Sequence, residues 1–137
     1  MEFEQQPQAE LYARVDSYLR QAFGELAELI EDEPAFALSL DRVHMIVKVN
    51  ANGPEMASVL TYTLVATGLP ITLELTTLLL QRNHVSPFGI LGLFDNGIWL
   101  HHVLLGEMVT KDGLAMLLEI LADYAMQTED ELNARFR

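Results

Sequence analysis

The chain has 137 residues, half of them apolar, which suits one domain able to bury a core rather than an intrinsically disordered segment. Its 20 acidic against 8 basic residues give a formal net charge of -12, so nucleic acid and anionic membrane surfaces are disfavoured as partners. The absence of cysteine removes disulfides, thiolate metal sites and cysteine nucleophiles together.

The five prolines, Pro7, Pro34, Pro54, Pro70 and Pro87, mark expected element boundaries, because proline lacks an amide donor and restrains the residue before it. Leu11, Val15, Leu19, Ala22, Leu26 and Ile30 recur three or four apart and predict a helix over residues 8–32. Ala35–Leu40 and Val43–Val49 follow as strands joined at Asp41-Arg42, with Val43, Met45, Val47 and Val49 on one face. A third strand is expected over Ala57–Ala66, with Leu60, Tyr62 and Leu64 on one face and Thr61 and Thr63 on the other.

Pro70–Arg82 fits two periods. Ile71, Leu73 and Leu75 alternate with polar residues as in a strand, whereas Ile71, Leu75, Leu78 and Leu79 form a helical stripe. In the helical reading Pro70 suits the first turn and Asn83-His84 closes the element. Phe88–Phe94 and Ile98–Leu104 flank Asp95-Asn96-Gly97, a strong hairpin signal. Thr110 is placed to cap a last helix over residues 111–133, with Leu114, Leu117, Leu121, Tyr124 and Ala125 on its buried stripe.

Charge is unevenly spread: residues 35–104 hold only 4 acids and 3 bases, while both flanks are acidic. Either the flanks wrap the centre or the centre meets a partner. Acidic flanks of this kind are expected to steer a basic partner segment on encounter.

Chemistry is hard to find in the motifs. His101 and His102 are adjacent on an expected strand and point to opposite faces, and neither they nor His44 and His84 have chelating spacing. A metal-binding or small-enzyme reading rests on those four imidazoles alone. There is no phosphate-binding glycine loop and no nucleophile elbow, and Glu31-Asp32-Glu33 lacks the alternating ligands of a calcium loop. No catalytic residue, metal ligand or cofactor is therefore expected. The stronger signal is an excess of apolar strand residues, among them Met45, Val47, Val59, Leu60, Phe88, Ile90 and Trp99. Two explanations stand: a sheet covered on both faces, or a surface kept for a partner.

The run Leu75-Thr76-Thr77-Leu78-Leu79-Leu80-Gln81-Arg82-Asn83, then Gly89–Leu100 with its Asp95-Asn96-Gly97 turn, then Leu114–Tyr124, resembles class I type III secretion chaperones. That is the Tir chaperone (CesT) family, to which the YbjN-like proteins are related. The resemblance implies an α+β domain spanning residues 1–137, an antiparallel sheet flanked by helices in the order α-β-β-β-α-β-β-α. It also implies that Pro70–Arg82 is a helix. For function it implies a non-catalytic cytoplasmic homodimer that holds an extended polypeptide client, or a YbjN-like protein of the same fold with a regulatory or unassigned interaction role. Leu75, Leu78, Leu79 and Trp99 are the expected dimer contacts, and Met45, Val47, Val59 and Leu60 the expected client contacts. The acidic start Met1-Glu2-Phe3-Glu4 and the lack of a ~20-residue apolar run agree with the cytoplasm and give no reason to expect a membrane anchor.

Overall fold

Helix α1, Gln6–Phe23, lays Leu11, Val15 and Leu19 against the sheet with almost no exposure. In the computed structural model, which describes residues 1–137, this helix stops nine residues before the predicted end at residue 32. The cause is Gly24, whose φ of 58° and ψ of -126° suit a residue without a side chain, and whose N–H bonds back to the Arg20 carbonyl. A short 3-10 turn leads into an additional strand, β1 (Ala27–Leu29). Leu26 and Ile30 therefore leave the helical stripe, and Leu26 is exposed.

Strands β2 (Ala35–Leu40), β3 (Val43–Ala51) and β4 (Ala57–Thr67) form an antiparallel meander. Helix α2 (Leu73–Val85) resolves the ambiguous segment as helical. Its cap is Thr72, whose hydroxyl accepts the Leu75 N–H at 3.1 Å, so Pro70 lies outside the first turn. Strands β5 (Ile90–Phe94) and β6 (Gly97–Leu105) form the last hairpin, and helix α3 (Lys111–Phe136) is capped by Thr110 through the Gly113 N–H. The hairpin turn is Asp95-Asn96, both at positive φ, one residue earlier than an Asn-Gly turn. Gly97 instead opens β6, where a β-carbon would lie 2.8 Å from Leu64 Cδ1 and 2.9 Å from Trp99 Nε1.

The six strands make one antiparallel sheet in the order β1-β2-β3-β4-β6-β5, so the fold is α+β with one strand more than the sequence suggested. Helices α1 and α3 cover one face. Met45, Val47, Val49, Val59 and Leu100 point into that layer with Leu114, Leu118 and Leu121. Helix α2 flanks β5 on the same side, tied to α3 by ion pairs from Arg82 to Glu131 and from Arg135 to Glu74 and Glu131. No helix lies on the other face, which leaves half of the sheet's side chains without a covering layer.

Candidate functional site: the uncovered face of the sheet

Strand alternation decides which residues line the uncovered face. Register pairs place Ala37, Ile46, Tyr62, His101 and Ile90 in one row across β2, β3, β4, β6 and β5. The neighbouring row is Ala35, Lys48, Leu60 and Val103, and the next is Asn50, Ser58 and Leu105. On the other side Leu64 stands opposite Trp99, and Trp99 opposite Gly92. The Tyr62 and Trp99 rings meet edge to face with centroids 5.9 Å apart, and Trp99 Nε1 donates to the Phe94 carbonyl at 3.3 Å. Ile90, Val103 and Leu105 are each about half exposed.

The four longest of these five strands, spaced by ~4.8 Å, with nine-residue β3 and β6 rising ~3.3 Å per residue, give this face a footprint on the order of 500 Å². That footprint includes the polar side chains of Lys48, Asn50, Ser58 and His101, and the largest apolar patch of a monomer, typically about 300–600 Å², is often functional.

The polarity of β4 is the reverse of what composition suggests. Thr61 and Thr63 turn towards the helices and are buried, while Leu60, Tyr62 and Leu64 face outwards. Thr63 can be buried because its hydroxyl donates to the His44 carbonyl at 2.8 Å.

The expected contact residues divide between the two faces. Met45, Val47 and Val59 lie in the core beneath the helices and cannot meet a client, whereas Leu60 is on the uncovered face. Leu75, Leu78 and Leu79 are likewise buried in the monomer, Leu75 completely, because they form the stripe that seats α2. They offer no dimer surface. The accessible stripe of α2 carries Leu73 and Leu80, which are 83% and 70% exposed, next to exposed Ile71 and Val85. Trp99 lies on the uncovered face, apart from that stripe. Sequence reasoning set Tyr62 on one face with Leu60 and Leu64 but named neither it nor Val103 and Leu105 as contacts; for the last two, alternation with His102 and Leu104 was the available signal.

The two edges of the sheet differ. At β5 the Asn83 side chain acts as a substitute strand: Nδ2 donates to the Leu91 carbonyl at 2.8 Å, and Oδ1 accepts the Leu91 N–H at 2.7 Å. Asn83 thus binds the edge of the hairpin instead of closing α2, which runs on to Val85. At the opposite edge β1 has only three residues. Neither edge offers a long free ladder for an added strand.

The imidazoles do not converge. His44 shares a 2.9 Å hydrogen bond with the Ser39 hydroxyl, His84 lies in the last turn of α2, and His101 and His102 are on opposite sides of the sheet. No group of three metal-ligating side chains comes together anywhere in the chain. Burial, and then the neighbouring His101, lower the pKa of His102, whose Nδ1 is buried without a hydrogen-bond partner. A cleft of ≈ 450 Å³ between α1 and the ends of β4 and β6 is lined by Glu10, Glu55 and Glu107 around Arg14. Arg14 is already committed to the Gly106 and Val109 carbonyls at 3.1 and 3.4 Å.

No helix is long and apolar enough to cross a membrane. Compared with known proteins, the chain matches no family model and no curated relative.

Proposed function

We propose that this chain is a non-catalytic polypeptide-binding protein that holds an extended partner segment on the uncovered face of its sheet. One observation carries the reading: an apolar, aromatic-bearing face built on five strands, with no layer of the protein's own to cover it. An extended chain laid along β4 repeats every second side chain at ~6.7 Å, matching the spacing of successive rows on the face. Gripping by the face also fits the two sheet edges, one occupied by Asn83 and the other short.

The probe is a labelled extended peptide that alternates apolar and neutral polar residues, its binding followed by fluorescence anisotropy. Ile90→Asp and Val103→Asp alter exposed side chains on this face. Each is expected to weaken binding on the order of tenfold while leaving the melting temperature nearly unchanged. Undiminished binding by both variants would remove the face from the function.

The likeness to secretion chaperones further suggests a homodimer. Its contact is proposed along the exposed α2 stripe, Leu73 and Leu80, rather than on Leu75, Leu78 and Leu79. Sedimentation velocity at tens of micromolar is expected to show a dimer that Leu80→Asp converts to a folded monomer. A wild-type monomer would contradict this part.

A further inference from the structure

The carboxylates of this chain are not distributed at random over its surfaces. Strands β2–β6 contain no aspartate or glutamate, and their one formal charge is Lys48. Among strand residues facing outwards on the uncovered side, the single carboxylate is Glu28, in the peripheral strand β1. The rest of the acidic excess sits on the helices and in the loops.

The cations divide in a related way. All six arginines are engaged: Arg20 with Asp16, Arg42 with Glu129 and Asp130, Arg82 with Glu131, and Arg135 with Glu131 and Glu74. Arg14 and Arg137 are bound to backbone carbonyls. The two lysines have no ionic partner: Lys111 opens α3, and Lys48 is the one on the uncovered face. It stands between Ala35 and Leu60 in the row that continues to Val103, a cation set in an apolar strip.

We infer that the segment held on this face is an acidic-apolar polypeptide, with an aspartate or glutamate placed beside Lys48 when its apolar side chains cover Leu60, Tyr62 and Trp99. The inference rests on the proposed use of the face for binding and specifies the partner. Covering the strip removes water from Lys48, which is costly unless the partner supplies an anion. A carboxylate does so through a charge-assisted hydrogen bond. A second copy of the same face would bring another Lys48, and its one facing carboxylate would be Glu28 in peripheral β1, two strands away from Lys48. Of the -12 charge, the helices carry a net -4 and the remaining -8 lies outside them, its carboxylates in the termini, turns and short elements, with Glu31, Asp32 and Glu33 leading into β2. Screening over ~8 Å at physiological salt limits how far these carboxylates act on the strip. The basic client expected from the acidic flanks would instead face a surface with a cation and hardly a carboxylate.

Three peptides with one apolar core, flanked by glutamate, glutamine or lysine, test this by anisotropy at physiological ionic strength against wild type and Lys48→Glu. The glutamate-flanked peptide is expected to bind about tenfold more tightly than the lysine-flanked one, and Lys48→Glu to reverse that order. Equal affinities, or tighter binding of the lysine-flanked peptide, would overturn the inference and leave polypeptide binding standing. Failure of all three to bind would overturn both. A wild-type dimer that Val103→Asp dissociates would assign the face to a second copy and also overturn the inference.

Discussion

Asn83 spends its whole amide on one residue of the neighbouring strand, meeting both the N–H and the carbonyl of Leu91. Asn83→Ala strips both partners from a partly buried backbone and is expected to destabilise the fold by about 1–3 kcal/mol in urea unfolding. A loss below a few tenths would mean that water replaces the amide without cost. His102 makes a different prediction, in pH. Its folded pKa lies below its ordinary value of 6.5 because burial disfavours the imidazolium. The unfolded chain therefore binds its proton first, so this contribution is intact above pH ~6.5 and is lost as pH falls towards the folded pKa. Chemical denaturation between neutral and mildly acidic pH should show wild type losing more stability than His102→Leu, which also removes the orphaned Nδ1. Parallel pH profiles for the two proteins would contradict the assignment.

At the scale of elements, α2 presents two unlike surfaces from one leucine-rich run. Leu79→Ala should cost about 2–5 kcal/mol because it opens a cavity under the helix, whereas exposed Leu80→Asp should leave stability almost unchanged. Equal losses would mean that the helix is seated differently. The same contrast explains what the sequence could and could not disclose. Strands β2, β3 and β4 were legible within a residue or two because the alternation of large apolar residues and the flanking turn residues agree. The end of α1 was not, since Leu26 and Ile30 continue the three-four spacing past Gly24, and spacing alone does not reveal that Gly24 takes a positive φ. In α2 periodicity grouped Leu75, Leu78 and Leu79 correctly as one stripe. It had no means of telling a stripe that seats the helix from one that meets a partner.

For the molecule as a whole, the decisive arrangement is one helical layer on one side of a six-stranded sheet. The charge-poor centre of the sequence coincides with the strands of the sheet but does not tell which side is uncovered. Composition points the wrong way in β4, where threonines are buried and leucines face out, because Thr63 finds the His44 carbonyl inside the core. Only the cross-strand register resolves the two faces. The central claim is that the uncovered face grips a polypeptide, and the only tryptophan of the chain, Trp99, stands on that face. Titrating the glutamate-flanked apolar peptide while recording Trp99 emission therefore tests it most directly. The account predicts a saturable blue shift whose midpoint equals that of peptide binding by anisotropy. Binding by anisotropy with unchanged Trp99 emission would place the partner elsewhere and contradict the account.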